Sequence, residues 1–412
     1  MQRAIEHRPV PTIYPPLSQG LFAAAACLTP EQAPVMTQVR VLKGLLLLFD
    51  LLTVVFIIGL LCNVGLPMVR VLAYAWCPLI LKEFANTGHL DSIAICFTTA
   101  TLWLLTCQRA REGGGTADAP LIRPALGAGC LAAITWAGAI LAKLYPLVLA
   151  PVILVYGWHR WRWRLAVPGA LFVVLLVAGY SALPGRSALP AAPALAAPAS
   201  APDAPTVAPN HSSFSGLGEF LRRWEMNDLL FSIVYENLRP PSVGNSSAPP
   251  WYVCAPVSLR EQAQAALRGV CRSFGLDSSR LNLPFLFTQL LMATVVLALC
   301  AGLALRRWPK DDRQELLRRV FLCLAWLWFL SATQNPWYWS WALPFVVFAS
   351  RPWLLVSGFA LIYYLRFWLI AHVPDATLPG GLNGQRFFDE VLVWLEHLPV
   401  LLWLVLQIRR KE

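Results

Sequence analysis

The sequence predicts an all-α polytopic membrane protein, and three observations carry that expectation. The 412 residues are 57% hydrophobic and only 13% charged, with a mean hydropathy of +0.57, whereas a soluble domain carries about 25% charged residues. The apolar residues gather in long runs, and a helix that crosses a bilayer needs about 20 of them, fewer when it is tilted or buried by its neighbours. The Lys and Arg residues, 33 in all and the source of a formal net charge of +11, cluster at the ends of those runs, where they orient helices in a bilayer. That placement excludes nucleic-acid binding as the reason for the charge.

In chain order, spans are expected near 41–61, 66–82, 92–107, 125–142, 147–158, 165–183, 285–305, 320–333, 337–349, 353–371 and 391–408, with 16–28 as a short extra candidate. This gives a bundle of about 10–12 transmembrane helices with one long extracytoplasmic loop. Three regions follow: an N-terminal transmembrane region over 1–183 with polar loops, the loop over 184–284, and a C-terminal transmembrane region over 285–412. Orientation comes from basic residues in short loops. The segment 108–124, the turn "HRWRWR" at 159–164, the loop "RRWPKDDRQELLRR" at 306–319, Arg351 and the tail "RRKE" are all basic and are separated by pairs of spans, so all belong inside. The opposite face then holds "KEFANTGHLDS" at 82–92, the "AKLYP" tip at 142–146, the long loop, "QNPWYW" at 334–339 and the segment 372–390. Eleven spans with an inside C-terminus also put Arg40 and Lys43 outside, against the charge rule.

The long loop opens with the Pro/Ala-rich run 184–212, a low-complexity linker. After it, 213–238 has apolar residues at helical spacing, including Phe220, Trp224, Leu229 and Ile233. An amphipathic helix is expected there, lying on the outer membrane surface or packed on the spans beneath. Ten cysteines carry no CxxC or Cys/His metal spacing. Most lie in apolar runs as small buried hydrophobes. Cys254 and Cys271 share the long loop and are free to pair there if it faces an oxidising compartment.

Ionisable groups near membrane depth are costly, so a cluster of them is a functional candidate. In "KEFANTGHLDS", Glu83, Asn86 and Thr87 would share one helical face, Gly88 would end the helix, and His89 and Asp91 would follow. The alternative is a wet loop whose Asp91 or Ser92 caps the next span. Lys143 and Tyr145 sit at a hairpin tip, where the lysine either snorkels to the interface or neutralises a phosphate. "QNPWYWSWALP" brings Trp337, Tyr338, Trp339 and Trp341 beside Gln334 and Asn335, which suits an interfacial aromatic belt or a sugar-stacking surface. Tyr14 and Gln19 offer a further polar–aromatic pair near the start, and Asp50 lies inside an apolar run, where an acid is paired or part of a proton route.

The blocks "HRPVPTIYPPLSQGLFA", "AWCPLILKEFANTGHLDSIAI", "AKLYPLVLAP", "RRWEMNDLLFSIVYENLRP", "QNPWYWSWALPF" and "FFDEVLVWLEHLPVLL" together resemble the bacterial branch of the GT-C membrane glycosyltransferases, of the polyprenyl-phosphate-mannose type. The resemblance implies a bacterial plasma-membrane enzyme with an extracytoplasmic site, a polyprenyl-phosphate sugar as donor, a glycan or lipid as acceptor, and membrane lipids around it. It implies inversion at the anomeric carbon, with no cofactor or with a loosely held divalent cation. Lys143, Tyr145, Tyr14, Asn335, Trp337 and Tyr338 would then bind the donor, and His89 and Asp91 would face the same cavity.

In that family the catalytic acid lies in a first extracytoplasmic loop upstream of the "YPPL" block. This chain starts just before that block, and its polar, proline-rich start has no signal-peptide pattern. The expectation is therefore that the first span and the catalytic aspartate belong upstream of Met1. The chain as it stands is then expected to be inactive or to recruit its base from Glu6, Glu83, His89 or Asp91. The alternative function is a transporter or flippase of lipid-linked or small-molecule substrates built around Asp50.

Overall fold

A computed structural model describes residues 13–107, 126–182, 224–240, 251–275, 282–309 and 312–409. Met1, Glu6 and the Pro/Ala-rich run 184–212 lie outside the described residues. The expectation of a catalytic base upstream of Met1 therefore has no counterpart among the described residues, whose acid–base candidates are Glu83, His89 and Asp91. Within the described residues the protein is helical, and its extended pairings are two single bridges, Met226 with Thr333 and Leu378 with Leu382. Four stretches are long and apolar enough to cross a membrane: Val35–Asn63, Tyr145–Ser181, Leu283–Leu305 and Leu354–His372. The second is interrupted at Arg162, whose φ of 52° breaks it into two helices.

The first half is built from α1 (Pro16–Cys27), α2 (Val35–Asn63), α3 (Asp91–Thr106), α4 (Leu126–Ala142), α5 (Ala150–Trp161) and α6 (Ala166–Ser181). Helix α3 packs on α2 and α4, and α4 packs on α6. Because α3 is enclosed on several sides, it is buried along most of its length, including the polar Thr98, Thr99, Thr101 and Thr106. Those hydroxyls donate back to carbonyls one turn earlier, as Thr98 does to Ala94 at 2.7 Å, so their burial leaves no donor unmet. The α3–α4 contact is close at Gly138 of α4, where a Cβ would sit 3.2 Å from the Phe97 ring of α3. Thr101 and Thr135 hydrogen-bond across it at 2.9 Å.

The second half contains α7 (Leu230–Leu238), α8 (Val257–Ser273), α9 (Leu283–Leu305), α10 (Arg313–Leu330), α11 (Leu354–Phe359), α12 (Tyr363–His372) and α13 (Val393–Arg409). Arg319 in α10 is 1% exposed. It donates to the carbonyls of Leu303, Arg306 and Arg307 at 2.6, 3.0 and 2.9 Å. Those acceptors lie in the last turn of α9 and just beyond it, so this buried basic side chain closes the end of the neighbouring helix. Glu315 at 2.7 Å and the Trp308 ring at 4.0 Å hold the guanidinium in place.

Several expectations are corrected. The run 66–82 is not one helix: it is a 3-10 turn over Met68–Val71, a short helix over Leu72–Ala75 and a further turn at Pro78–Ile80. Pro67 and Pro78 interrupt it, since each lacks an N–H to donate. The run 337–349 is likewise split into single turns, Pro336–Trp339 and Leu343–Val346, and residues 339–348 are buried among neighbouring helices, which is where irregular backbone is tolerated in a membrane protein. Of the helix expected over 213–238, residues 213–223 lie outside the described residues, and the described part contains the helix Leu230–Leu238. Residues 224–229 before it are non-helical, with Asn227 at φ 58° and Met226 bridged to Thr333. It packs on the bundle, with Phe231 fully buried against Phe285 at 5.3 Å. Cys254 and Cys271 are both free thiols.

The stretch 257–273 reads in sequence as loop, yet it forms the amphipathic helix α8. Its Arg260 and Gln264 donate to the carbonyls of Arg239 and Leu238 at 2.8 and 2.6 Å. Its role is to satisfy the C-terminal end of α7.

The hairpin after α12 turns through Gly380 and Gly381, both with positive φ. Gly384 then passes so close to α12 that a Cβ there would sit 2.3 Å from the Leu369 carbonyl oxygen. Gly384→Ala should therefore destabilise the C-terminal third by about 1–3 kcal/mol, the usual range for overpacking. A lowered midpoint in thermal unfolding of detergent-solubilised protein checks this; an unchanged midpoint contradicts the close approach.

Candidate functional site

The stretch 82–92 is shaped by a π-helix over Leu81–Thr87. Its wider turn brings residues five apart together, so Lys82 Nζ reaches Thr87 Oγ1 at 2.8 Å. This corrects the expectation that Glu83, Asn86 and Thr87 share a face: Glu83 is fully buried, while Asn86 and Thr87 are exposed. Gly88 ends the turn at φ 80°, in the left-handed region that glycine adopts without strain. The N–H groups of Gly88 and His89 both donate to the Glu83 carbonyl, at 3.0 and 2.9 Å. This fold-back sets the His89 ring beside the Glu83 carboxylate, with Nε2 at 3.2 Å from Oε2. The other carboxylate oxygen accepts from the Tyr364 hydroxyl. His89 lies flat on Trp337, with ring centroids 4.4 Å apart.

Asp91 occupies the first turn of α3, but its side chain makes no cap, which removes the capping alternative. Its carboxylate accepts from Lys143 Nζ at 2.6 Å and from the Trp341 indole N–H. Asp91 and Lys143 side chains are 2% and 18% exposed. The ammonium also lies over the Tyr338 ring, 4.5 Å from its centroid. Tyr145 stacks on Trp341 at 4.2 Å with planes 4° apart. Tyr14 lies within electrostatic range of Lys143, Asp91 and Tyr338. Helix α1 is docked by Ser18, which donates to the Ala142 carbonyl at 2.8 Å, next to Lys143.

The two groups are continuous, because Trp337 meets Tyr338 edge-on at 5.9 Å. Contacts therefore run from Glu83 through His89, Trp337, Tyr338 and Lys143 to Asp91, Trp341 and Tyr145. Three separate parts of the chain supply them. Asn335 stands next to this row, 1% exposed, with its carbonyl accepting from Trp328 Nε1 at 3.2 Å. Lys43 donates to the Asn86 carbonyl, so the end of α2 that carries it lies on the same face as this row.

Behind the row is a buried polar network that sequence reasoning did not single out. Asn227 donates to Glu396 Oε2 at 2.8 Å and to the Gln334 carbonyl at 2.9 Å. Gln334 in turn meets His397 Nε2 through its side-chain oxygen. All four residues are at most 5% exposed. The blocks "RRWEMND", "QNPWYW" and "WLEHLP" each supply members, and co-occurrence of polar residues within apolar blocks was the available signal. Trp341 and Tyr364 were also missed as partners, because nothing in the sequence relates Trp341 to Asp91 or Tyr364 to Glu83.

Asp50 accepts from the Tyr74 hydroxyl at 2.7 Å. Among the described residues, no group of three or more His, Cys, Asp and Glu is arranged to hold a metal ion. No family model, no curated protein and no solved structure matches the chain.

Two measurements probe this geometry. The Asp91–Lys143 pair is largely desolvated, so removing either charge leaves the other without its partner. Asp91→Asn or Lys143→Met alone should each destabilise by about 3 kcal/mol, and the double variant by less than their sum. A double-mutant cycle by chemical denaturation reads the coupling, and additive effects would refute it. The second concerns Glu225, pushed up to about 7 from an ordinary 4.5 by burial and then by Glu236. Asp228 is raised too, by burial and then by Glu225. A raised carboxyl stabilises while it is protonated, so anchoring of 224–238 should be complete below pH 4.5 and fall as pH rises through about 7. Hydrogen exchange of 226–238, corrected for intrinsic rate, should speed up across that window in wild type and less steeply in Glu225→Gln, where Asp228 alone remains raised by its burial.

Proposed function

We propose that the protein is a GT-C type membrane glycosyltransferase that moves a mannose-like hexose from a polyprenyl-phosphate donor to a glycan or lipid acceptor, at the extracytoplasmic face of a bacterial plasma membrane. The observation that carries this reading is the continuous row from Glu83 to Tyr145, which joins a lysine, carboxylates and aromatic faces in one place. A polyprenyl-phosphate sugar needs each of these. Its sugar ring offers C–H faces to stack on aromatic planes, and Trp337 and Tyr338 are both partly exposed. Its phosphate becomes a leaving group on which negative charge grows, and a cation placed there lowers the barrier.

Lys143 suits the second task. An ammonium has three donors, and Asp91 takes one of them. Asp91 and the Tyr338 ring fix the direction of the remaining N–H groups. In this reading the acceptor oxygen attacks the anomeric carbon, the bond from that carbon to the phosphate oxygen breaks, and the departing phosphate is met by Lys143. The short turns around 66–82 and 336–346 fit a GT-C-like bundle whose lumen is lined by irregular backbone, within the expected range of about 10–12 spans. A transporter reading centred on Asp50 has less support, because the Tyr74 hydrogen bond accounts for that buried acid.

The test is transfer in proteoliposomes, with a labelled polyprenyl-phosphate hexose and lipid or oligosaccharide acceptors. Wild type should transfer. Asp91→Asn/Lys143→Met, which removes both charges together, should keep its fold and lose about 10²-fold or more in kcat, the scale for one electrostatic donor. Wild type that moves labelled lipid across the bilayer without transfer, with flux lost in Asp50→Asn, would replace this reading with the transporter.

A further inference from the structure

Glu83 and His89 are brought together by more backbone machinery than a wet loop requires. The π-helix over Leu81–Thr87 and the left-handed Gly88 fold His89 back onto the Glu83 backbone. Single π-turns inside helices occur often at functional sites. The result is a fully buried carboxylate whose Oε1 is fixed by Tyr364. Its Oε2 has no hydrogen-bond partner and lies 3.2 Å from His89 Nε2. The contact is at ion-pair distance without hydrogen-bond alignment, a looseness common before substrate is bound. The imidazole itself is 24% exposed at its side chain and rests on the face of Trp337. Of the three acid–base candidates in this stretch it is the most open, since the Glu83 side chain is 0% and the Asp91 side chain 2% exposed.

We propose that His89, oriented by Glu83, is the general base that takes the proton from the acceptor hydroxyl. This rests on the glycosyltransferase reading above. With Nε2–H turned to Glu83, the basic nitrogen is Nδ1 of a ring whose side chain is 24% exposed. In the step, the acceptor oxygen forms a bond to the anomeric carbon, and its proton passes to His89 Nδ1. The bond between that carbon and the phosphate oxygen breaks, and its electron pair leaves with the polyprenyl phosphate beside Lys143. The imidazolium that results is held by the Glu83 carboxylate until its proton is lost to water, so the proton and electron balance closes with donor, acceptor and water alone. The other charged or titratable groups around His89 are Tyr364 on Glu83, Lys82 over the Tyr364 ring at 4.3 Å, Lys43 against Gly88, and the Asp91–Lys143 pair on the following turn. A carboxylate that orients a histidine is a recurring device for making a neutral imidazole a competent base.

The experiment uses the full chain in proteoliposomes with the labelled polyprenyl-phosphate hexose assay. His89→Ala should lose about 10²–10⁴-fold in kcat, the usual contribution of a positioned base. Added imidazole should restore part of that loss, which a purely structural role would not allow. His89→Gln, which keeps a polar side chain beside Glu83, should fold normally and lose activity without rescue, and it is the variant to read if His89→Ala does not fold. Glu83→Gln should lower kcat with KM unchanged, and should abolish the Nε2–H tautomer of His89 in the ¹⁵N spectrum. Active wild type with His89→Ala or His89→Gln at full turnover overturns the base role alone. Loss in His89→Ala that imidazole does not restore also overturns it. Wild type that transfers nothing, with the His89 tautomer intact, removes the reaction this base would serve and overturns both readings.

Discussion

The ion pair between Asp91 and Lys143 is the contact on which the rest of the site depends. It joins the first turn of α3 to the end of α4, and the Trp341 indole closes it from the far half of the chain. An isolated charge in an apolar setting is expensive. The two charges can stay at this depth because each satisfies the other and because Tyr338 and Trp341 cover the ammonium with aromatic faces at 4.5 and 5.3 Å. Once that pair is fixed, the positions of Tyr145, Tyr338 and, through Trp337, His89 follow from ring packing. The catalytic possibilities described above are thus set by a single electrostatic constraint and a row of aromatic contacts leading away from it.

A second constraint holds the segment 224–238 onto the bundle. Asn227 adopts a left-handed backbone and uses its side chain to join Glu396 to the backbone of Gln334. Met226 meanwhile exchanges backbone hydrogen bonds with Ala332 and Gln334 at 3.0 and 2.9 Å. Trp251 adds a bond to the Glu390 carbonyl at 2.7 Å and packs on Trp394. The long loop is therefore tied to α13 and to the segment that carries Trp337 and Tyr338, so its attachment and the aromatic row are mechanically linked.

Helix content and membrane character were legible because composition and run length report burial in lipid directly, as in Val35–Asn63 and Leu283–Leu305. The gathering of Glu83, His89, Lys143, Tyr145, Trp337 and Tyr338 was legible in outline, since loop parity put them on one face. Breaks inside apolar runs were not, because hydropathy alone does not separate one long helix from short turns around Pro67, Pro78, Pro336 and Pro344. Helix α8 was hidden by its polarity: Arg260 and Gln264 read as loop residues until the carbonyls they satisfy are seen. The network of Asn227, Gln334, Glu396 and His397 was hidden for another reason. Its bonded pair Asn227 and Glu396 is 169 residues apart, and no local pattern encodes such a pairing.

The Asp91–Lys143 pair also has a bearing on how the chain is made. Its members are 52 residues apart, whereas Asp91 and Trp341 are separated by 250. Synthesis runs from the N-terminus, and domains begin to assemble before the chain is complete. Asp91 can therefore meet its lysine as soon as the α3–α4 hairpin has emerged, and the two enter the bilayer as a neutral unit rather than as separate charges that would each cost about 2.5–3.5 kcal/mol at a helix centre. The indole arrives much later, with the last third of the protein. Until then the half-built bundle carries a charge pair but no aromatic row, so the site is completed only by the final helices to be inserted.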